Sequence, residues 1–437
     1  MVGSFSDAAI FYGDNGLGKS TILRLAFHLL STSNSRGHRT ALYNSEFESL
    51  EVDLASDITL RAKFEIQNAT KYLVLDIVSA NKTLAIWEYC PRSESEKRID
   101  SGSYYVEQII DHEGRVTLRR KPRTRNNANI PRGDMAYLDA LAKYTPTMFI
   151  LNADRRLDSD AVADPSDEME LRRVMQYDVP KRINELVVRS REIALSQAMS
   201  AASNWISKNA VMGANKGTMN VHTVYVDVLR HLITQPQNKN EPHKDIDKLQ
   251  LLNKLKEIES KTNKLAIYEL TTPLSTSELE KAIGARSSIK RKLAADLLQP
   301  YIKSQESRLD ALEPIYRTID KFVSTVNTFL NDKRLIFMLS RGFSIQSKLD
   351  NNLSPAQLSS GEQQLLLLCC YVLTSRDQPS VFMIDEPEIS LNIKWQRQLV
   401  QALLDITEGS TVQFIFASHS LELLAQHSTR VIKLVSQ

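Results

Sequence analysis

The eight residues Gly13-Asp14-Asn15-Gly16-Leu17-Gly18-Lys19-Ser20 constrain this chain more than any other stretch. They fit GxxxxGK[ST] and stand between a short apolar run, Asp7 to Gly13, and Thr21 to Leu30, where Ile22, Leu25, Ala26 and Leu29 recur at helical spacing. Strand, glycine loop and helix in that order build a cradle for phosphate. Glycines keep side chains out of a tight turn, the loop N–H groups point inward, and the helix adds its positive end. Lys19 is expected at the β- and γ-phosphates and the Ser20 hydroxyl on Mg²⁺, with Gly13, Asn15, Gly16, Gly18 and Thr21 lining the loop.

A second element is Ser380-Val381-Phe382-Met383-Ile384-Asp385-Glu386, an apolar strand closed by two acids. At a sheet edge, Asp385 is placed to hold Mg²⁺ and Glu386 to polarise an attacking water. Acids that end a strand are also common as plain solvated ends, so this element takes its meaning from the first. A third, Leu358-Ser359-Ser360-Gly361-Glu362-Gln363-Gln364, opens a helix over Gly361 to Ser375. Its bare N–H groups make an anion site. The alternative is an ordinary N-cap, with Ser359 or Ser360 capping and Glu362 in the first turn. The fourth, Phe414-Ile415-Phe416-Ala417-Ser418-His419-Ser420, brings His419 to the end of a strand, either toward a γ-phosphate or as a loop histidine bonded to backbone.

Between these lies a change of pattern. LEVDL, ITLRAKFEI, YLVLDIVSA and TLAIWEY alternate as antiparallel strands, and Pro146 to Leu151 reads as one more buried strand. From about residue 165 to 334 charged and apolar residues recur at helical spacing, as a bundle or a coiled-coil arm. Strand and helix then alternate again, with helices over Ile393 to Ile406 and Leu421 to His427 and a strand over Val412 to Ala417. The expected division is 1–160 and 335–437 as two lobes of one α/β domain, with 161–334 inserted.

Composition narrows the partners. Fifty-five basic and 52 acidic residues leave a net charge of +3, which gives no long-range pull toward nucleic acid or membrane. The longest apolar run, Leu365 to Leu373, is far shorter than the about 20 residues that span a bilayer. The start of the chain has no basic-then-apolar leader pattern. Cys90, Cys369 and Cys370 form no CxxC pair, which fits a reducing cytoplasm.

Taken together, the four elements resemble the ATPase heads of the ABC type found in SMC, RecF and OLD-like proteins. FYGDNGLGKSTILRL looks like their Walker A, LSSGEQQLLLL their signature motif, VFMIDEPEISLNIKWQ their Walker B and D-loop, and ASHS their switch histidine. The resemblance implies a P-loop NTPase fold of α/β class, a mixed sheet plus an antiparallel β subdomain, with a helical insertion. It also implies a slow ATPase using ATP and Mg²⁺ in a nucleotide-sandwich homodimer. There Lys19 of one copy and Ser359, Gly361 and Glu362 of the other hold one ATP, Glu386 is the base and His419 senses the γ-phosphate. Asn392 stands where histidine is common in that branch. Twelve residues precede Gly13, where such heads carry two strands. The Q-loop is expected near Asn152 to Arg156, with Arg155 toward phosphate, rather than at Gln67.

Eighteen residues follow His419, too few for the Toprim nuclease domain of OLD-type proteins. The first functional reading is therefore a defence-associated ATPase that senses or scaffolds and controls a separate effector, a nuclease or toxin. The alternative is a RecF/SMC-like DNA-binding ATPase in repair or replication, supported by Arg119 to Arg125 and by Arg286 with Lys290 to Lys292. Such stretches are more often solvated faces. A transporter subunit is disfavoured by the long helical insertion and by the DEPE sequence.

Overall fold

The computed structural model describes residues 7–14, 16–34, 36–67, 70–80, 82–91, 104–110, 116–122, 133–152, 157–159, 180–218, 248–283, 288–348, 350 and 353–434. Strand β1 (Ala8–Tyr12) leads into helix α1 (Lys19–Leu30) and the short helix α2 (His38–Tyr43). Strands β2 (Ser49–Leu54), β3 (Ile58–Gln67), β4 (Thr70–Ser79) and β5 (Lys82–Tyr89) follow, then β6 (Tyr104–Ile110) and β7 (Val116–Pro122). Helix α3 (Asp134–Tyr144) precedes β8 (Thr147–Leu151) and β9 (Leu157–Ser159). Next come α4 (Pro180–Thr218), α5 (Lys248–Ala266), α6 (Ser277–Ile283), α7 (Ser288–Phe329), β10 (Lys333–Met338) and β11 (Gly342–Ser347). The chain continues through α8 (Ser360–Thr374), β12 (Ser380–Asp385), α9 (Ile393–Ile406), β13 (Val412–Ala417), α10 (Leu421–Gln426) and β14 (Val431–Lys433).

These elements gather into two compact units. The first comprises Met1–Glu168, Gln378–Ile389 and Val412–Gln437; the second comprises Met169–Asp377 and Ser390–Thr411. The α/β class expected from the sequence, with one largely parallel sheet and a separate antiparallel one, is what the chain adopts.

In the first unit a six-stranded sheet runs in the order β14-β1-β13-β12-β8-β9, parallel throughout except for the β8–β9 pair. Its central strands are apolar on both faces: Phe382, Ile384, Phe414 and Phe416 are completely buried on one, and Met383 is buried on the other. Strands covered on two sides read in the sequence as continuous apolar runs, which is why VFMI and FIFA stand out. Register aligns the strand ends. Phe11 pairs with Ala417, and Ala417 pairs with Asp385, so β1, β13 and β12 end level with one another. The segments that leave these ends are Gly13–Ser20, Ser418–His419 and Glu386, so one sheet edge collects them.

The four-stranded antiparallel sheet β2-β3-β4-β5 has the alternation that its sequence predicts. Ile58, Leu60, Ala62, Leu73, Leu75, Ile77 and Ala85 turn inward and join Leu23, Phe27, Leu29 and Leu30 of α1 in one core. Thus the helix that starts at the glycine loop is packed along its apolar stripe, and its first turn is held in place.

In the second unit the described helices pack side by side. Helix α4 lies along α7, α5 packs on α7, and α8 contacts α4, α7 and α9. Leu195, Ala202, Ile206 and Ala210 of α4, and Leu309, Leu312, Ile319 and Phe322 of α7, are buried. Where α4 and α7 meet, a Cβ on Gly213 would stand 2.9 Å from the Ala311 carbonyl oxygen, so no larger residue fits this approach.

Candidate nucleotide site

The glycine loop leaves β1 at Tyr12 and enters α1 at Lys19, two residues earlier than the periodicity predicts. Lys19 and Ser20 therefore sit in the first helical turn. Gly16 and Gly18 have φ values of 87° and 78°, a left-handed backbone that costs other L-residues about 1–2 kcal/mol. Gly18 occupies the N-cap, and no side chain caps the helix there. A Cβ at Gly16 or Gly18 would meet no protein atom within 4 Å, so the loop backbone borders open space. Thr21 is exposed in the same turn, and Asn15 lies outside the described residues.

Lys19 is 5% exposed. Its ammonium donates to the carbonyls of Gly13 at 2.8 Å and Asp14 at 3.0 Å, and stands 3.3 Å from His419 Nδ1. The cation is thus wrapped by its own loop and aimed along the sheet edge. Beside it, Ser20 Oγ donates to Asp385 Oδ1 at 2.8 Å. Strand β12 runs one residue further than its apolar stretch, which puts Asp385 in the sheet, buried. Burial pushes the Asp385 carboxyl above the usual range, while the Ser20 hydrogen bond and the Arg24 guanidinium pull it back.

Glu386 begins the turn after β12. Its φ is 47°, left-handed and unusual for a glutamate, and its N–H donates to the Ala417 carbonyl at 2.8 Å. This bond locks the acid to the neighbouring strand. Its Oε1 lies 3.8 Å from His419 Nε2, both side chains about one third exposed. His419 therefore stands between Lys19 on one ring nitrogen and Glu386 on the other. A further acid, Glu388, completes the cluster. Its Oε1 accepts from the Ser418 hydroxyl at 2.9 Å, the His419 N–H at 2.6 Å and the Ser420 N–H at 3.1 Å. Sequence reasoning gives Glu388 no role; its signal is present as the second acid of DEPE.

In the second unit, α8 begins one residue before the sequence expectation, with Ser359 as N-cap. Ser359 N–H donates to Glu362 Oε2 at 2.7 Å and Ser359 Oγ accepts from Glu362 N–H at 3.4 Å, a capping box. Glu362 is 4% exposed and Lys333 donates to its Oε2 at 2.7 Å. Gly361 is buried and Ser359 exposed. The Glu362 carboxylate is thus turned inward as a brace for the helix start, and Ser359 is the residue this motif shows to solvent.

Known proteins share parts of this arrangement. Residues 269–425 match the family model described as "AAA domain, putative AbiEii toxin, Type IV TA system". That match contains Ser359, Asp385, Glu386, Glu388 and His419; the glycine loop lies before it. The lipoprotein-releasing system ATP-binding protein LolD 1 of Rhodospirillum rubrum is 35% identical over 80 residues, 18% of this chain and 34% of that protein. Over these stretches the chain is similar to ATP-binding proteins of the ABC/AAA type.

The molybdenum import ATP-binding protein ModC of Escherichia coli is 32% identical to this chain over 80 residues, 18% of this chain and 22% of ModC. The chain spans about a third of the length of the first of these relatives and less of the second. Among solved structures, the Smc head domain of Pyrococcus furiosus, with an extended coiled coil and bound to the C-terminal domain of ScpA, aligns with a TM-score of 0.31. Identity there is 13%, over 97% of this chain and 86% of that one.

Of the residues expected to act together, the first unit gathers Gly13, Gly16, Gly18, Lys19, Ser20, Asp385, Glu386 and His419. Ser359, Gly361 and Glu362 belong to the second unit. Gln67 ends β3. Of the expected Q-loop segment, Asn152 follows the end of β8, while residues 153–156, including Arg155, lie outside the described residues. So do Arg123 to Arg125 and Arg286 of the basic stretches. Among the described residues, no helix is long and apolar enough to cross a membrane.

Proposed function

We propose that the head binds ATP with Mg²⁺ on the Gly13–Ser20 loop and hydrolyses it slowly, in a dimer that encloses two nucleotides and whose state controls a separate effector. The observation that carries this reading is the meeting of Lys19, the Ser20–Asp385 pair, Glu386 and His419 at the level ends of β1, β12 and β13.

The residues suit the ligands assigned to them. A left-handed glycine loop with uncapped helix N–H groups beside a buried ammonium is a match for a polyanion. Ser20 and Asp385 offer two oxygen donors of the kind a hard divalent cation takes. Magnesium, when bound there, offsets phosphate charge that would otherwise repel an attacking oxygen. Glu386 is the group that orients and takes a proton from water, since it is the partly exposed carboxylate at the edge. His419 holds its ring between that acid and Lys19, where it can donate to a terminal phosphate.

In the proposed dimer, Ser359 at the exposed start of α8 meets the nucleotide of the other copy, which gives a reason for a serine-headed helix that faces solvent. Lys19, Gly18 and Thr21 act from one copy; Ser359 and Gly361 act from its partner. Support for an effector comes from the toxin–antitoxin description attached to residues 269–425.

Phosphate release and light scattering test this directly. Wild type should turn over ATP and dimerise with it. Glu386→Gln should bind ATP, stop turnover and accumulate dimer. Normal hydrolysis by that variant would remove Glu386 from the role. For the effector, the Glu386→Gln head is captured from its native cell with ATP. A stoichiometric second protein is expected, and recovery of the head alone would overturn this part.

A further inference from the structure

Three donors converge on a single carboxylate oxygen behind the switch histidine. Glu388 lies in the one-turn segment Pro387–Ser390 that follows β12. Its Oε1 takes the Ser418 hydroxyl, the His419 N–H and the Ser420 N–H, at 2.9, 2.6 and 3.1 Å. Ser418 is completely buried, and its hydroxyl oxygen in turn accepts from Ser420 N–H at 3.0 Å. Ser420 is the N-cap of α10, with its Oγ accepting from Leu423 N–H. Successive N–H groups in a turn form a concave anion site, and here the protein fills that site with its own carboxylate.

Hydrogen bonds to an ionised acceptor are roughly twice as strong as neutral ones, so three of them fix a turn firmly. What they fix is the backbone from which the His419 ring projects. That ring has Lys19 3.3 Å from Nδ1 and Glu386 Oε1 3.8 Å from Nε2. Glu388 thereby ties the turn after β13 to the segment after β12. We infer that Glu388 is a positioning residue: it anchors the Ser418–Ser420 turn so that His419 is held between Lys19 and Glu386, and it joins that turn to the segment after Walker B as one body. Movement of the Pro387–Ser390 segment then reaches His419 through Glu388, without passing through the nucleotide.

This inference rests on His419 acting in turnover, and the test keeps the two apart. Steady-state ATPase rates and the affinity for a non-hydrolysable ATP analogue are measured for wild type, Glu388→Ala, His419→Ala and the double variant. Misplacement of a catalytic group by about 1 Å costs up to about 100-fold, so Glu388→Ala should lower kcat about 10- to 100-fold while analogue affinity stays within about twofold. In the His419→Ala background, the Glu388 substitution should cost nothing more, since its effect passes through that ring. Glu388→Gln keeps an acceptor oxygen without the charge and should fall between Glu388→Ala and wild type. Ser418→Ala removes one donor and no charge; it reads the same coupling if Glu388→Ala does not fold, with a smaller loss that also vanishes without His419.

If His419→Ala loses turnover and Glu388→Ala and Ser418→Ala do not, the positioning role is wrong and the reading of His419 stands. If the losses multiply in the double variant, Glu388 acts elsewhere and the inference is overturned. If His419→Ala itself turns over ATP normally, the underlying reading fails, and the inference with it.

Discussion

The Ser20 hydroxyl donates a 2.8 Å hydrogen bond to Asp385 Oδ1, joining the first turn of α1 to the last residue of β12 across 365 positions of sequence. Both groups are oxygen donors at a sheet edge where phosphate is expected, and the carboxyl is buried enough to be held above its usual pKa range. Asp385→Asn keeps an oxygen to accept from Ser20 and relieves the burial of a charge. The variant should melt at the wild-type temperature or up to about 2 °C higher. Magnesium-dependent ATP turnover should fall by at least about 100-fold, because a neutral amide binds a divalent cation poorly. A thermal melt paired with a magnesium titration of the ATPase rate checks both halves; turnover that survives would place the metal elsewhere.

Lys19 gives two of its three donors to its own loop, on the carbonyls of Gly13 and Asp14, and stands 3.3 Å from His419 Nδ1. Methionine at this position fills the space of the stem without the charge. Lys19→Met should keep the far-ultraviolet circular dichroism of wild type and weaken ATP binding about 100-fold, or about 2.7 kcal/mol. Titration calorimetry at fixed magnesium gives the answer, and an affinity within a few-fold of wild type would mean that Lys19 serves only to hold the loop shut.

Two glycines of the loop should fail for different reasons. At Gly18 an added Cβ meets nothing within 4 Å, but φ is 78°, so Gly18→Ala should cost about 1 kcal/mol through backbone strain alone. Asparagine tolerates this conformation better, so Gly18→Asn should cost less. At Gly13 the Cβ would stand 2.8 Å from Leu17 Cδ1 and 3.2 Å from the Leu434 carbonyl oxygen, so Gly13→Ala acts by crowding and its cost depends on whether Leu17 gives way. Urea midpoints of the two Gly18 variants should order as Gly18→Asn above Gly18→Ala; the reverse order would remove strain as the explanation.

Much of the fold is legible in the sequence because the relevant signals are local. The runs VFMI and FIFA announce central strands, the alternation of ITLRAKFEI announces a two-faced one, and GxxxxGK[ST] announces the loop between β1 and α1. Periodicity places the helix starts at Lys19 and Ser360 one or two residues late, since a first turn carries polar residues that it does not count. Glu388 is silent in the sequence because its meaning lies in a contact with residues about thirty positions on, and register alone brings them together. Lys333 is silent for the same reason: a strand lysine reads as solvated until its partner Glu362 is seen to be buried.

That last pair gives a pH-dependent prediction. Burial pushes the Glu362 carboxyl up, but the Lys333 ammonium and the Ser359 N–H outweigh it, and its pKa is held below the ordinary glutamate value. An acid whose folded pKa is depressed adds stability above its unfolded pKa and loses it as pH falls through the folded value. Lys333→Met leaves a buried carboxylate with the Ser359 N–H as its remaining bond in this pair-and-cap arrangement. A charged hydrogen bond of this kind contributes about 2 kcal/mol, so the second unit of Lys333→Met should unfold at clearly lower urea than wild type at pH 7.5. As pH falls through the acid range and Glu362 takes up a proton, the need for Lys333 disappears, and the gap between the two proteins should close. Glu362→Gln added to Lys333→Met removes the orphaned charge and should return part of the lost stability at pH 7.5. Urea midpoints of the three proteins from pH 7.5 down to about pH 3, below the ordinary glutamate pKa, decide the matter: a gap of constant size across that range would mean that Lys333 stabilises α8 by packing its stem and not by bracing Glu362.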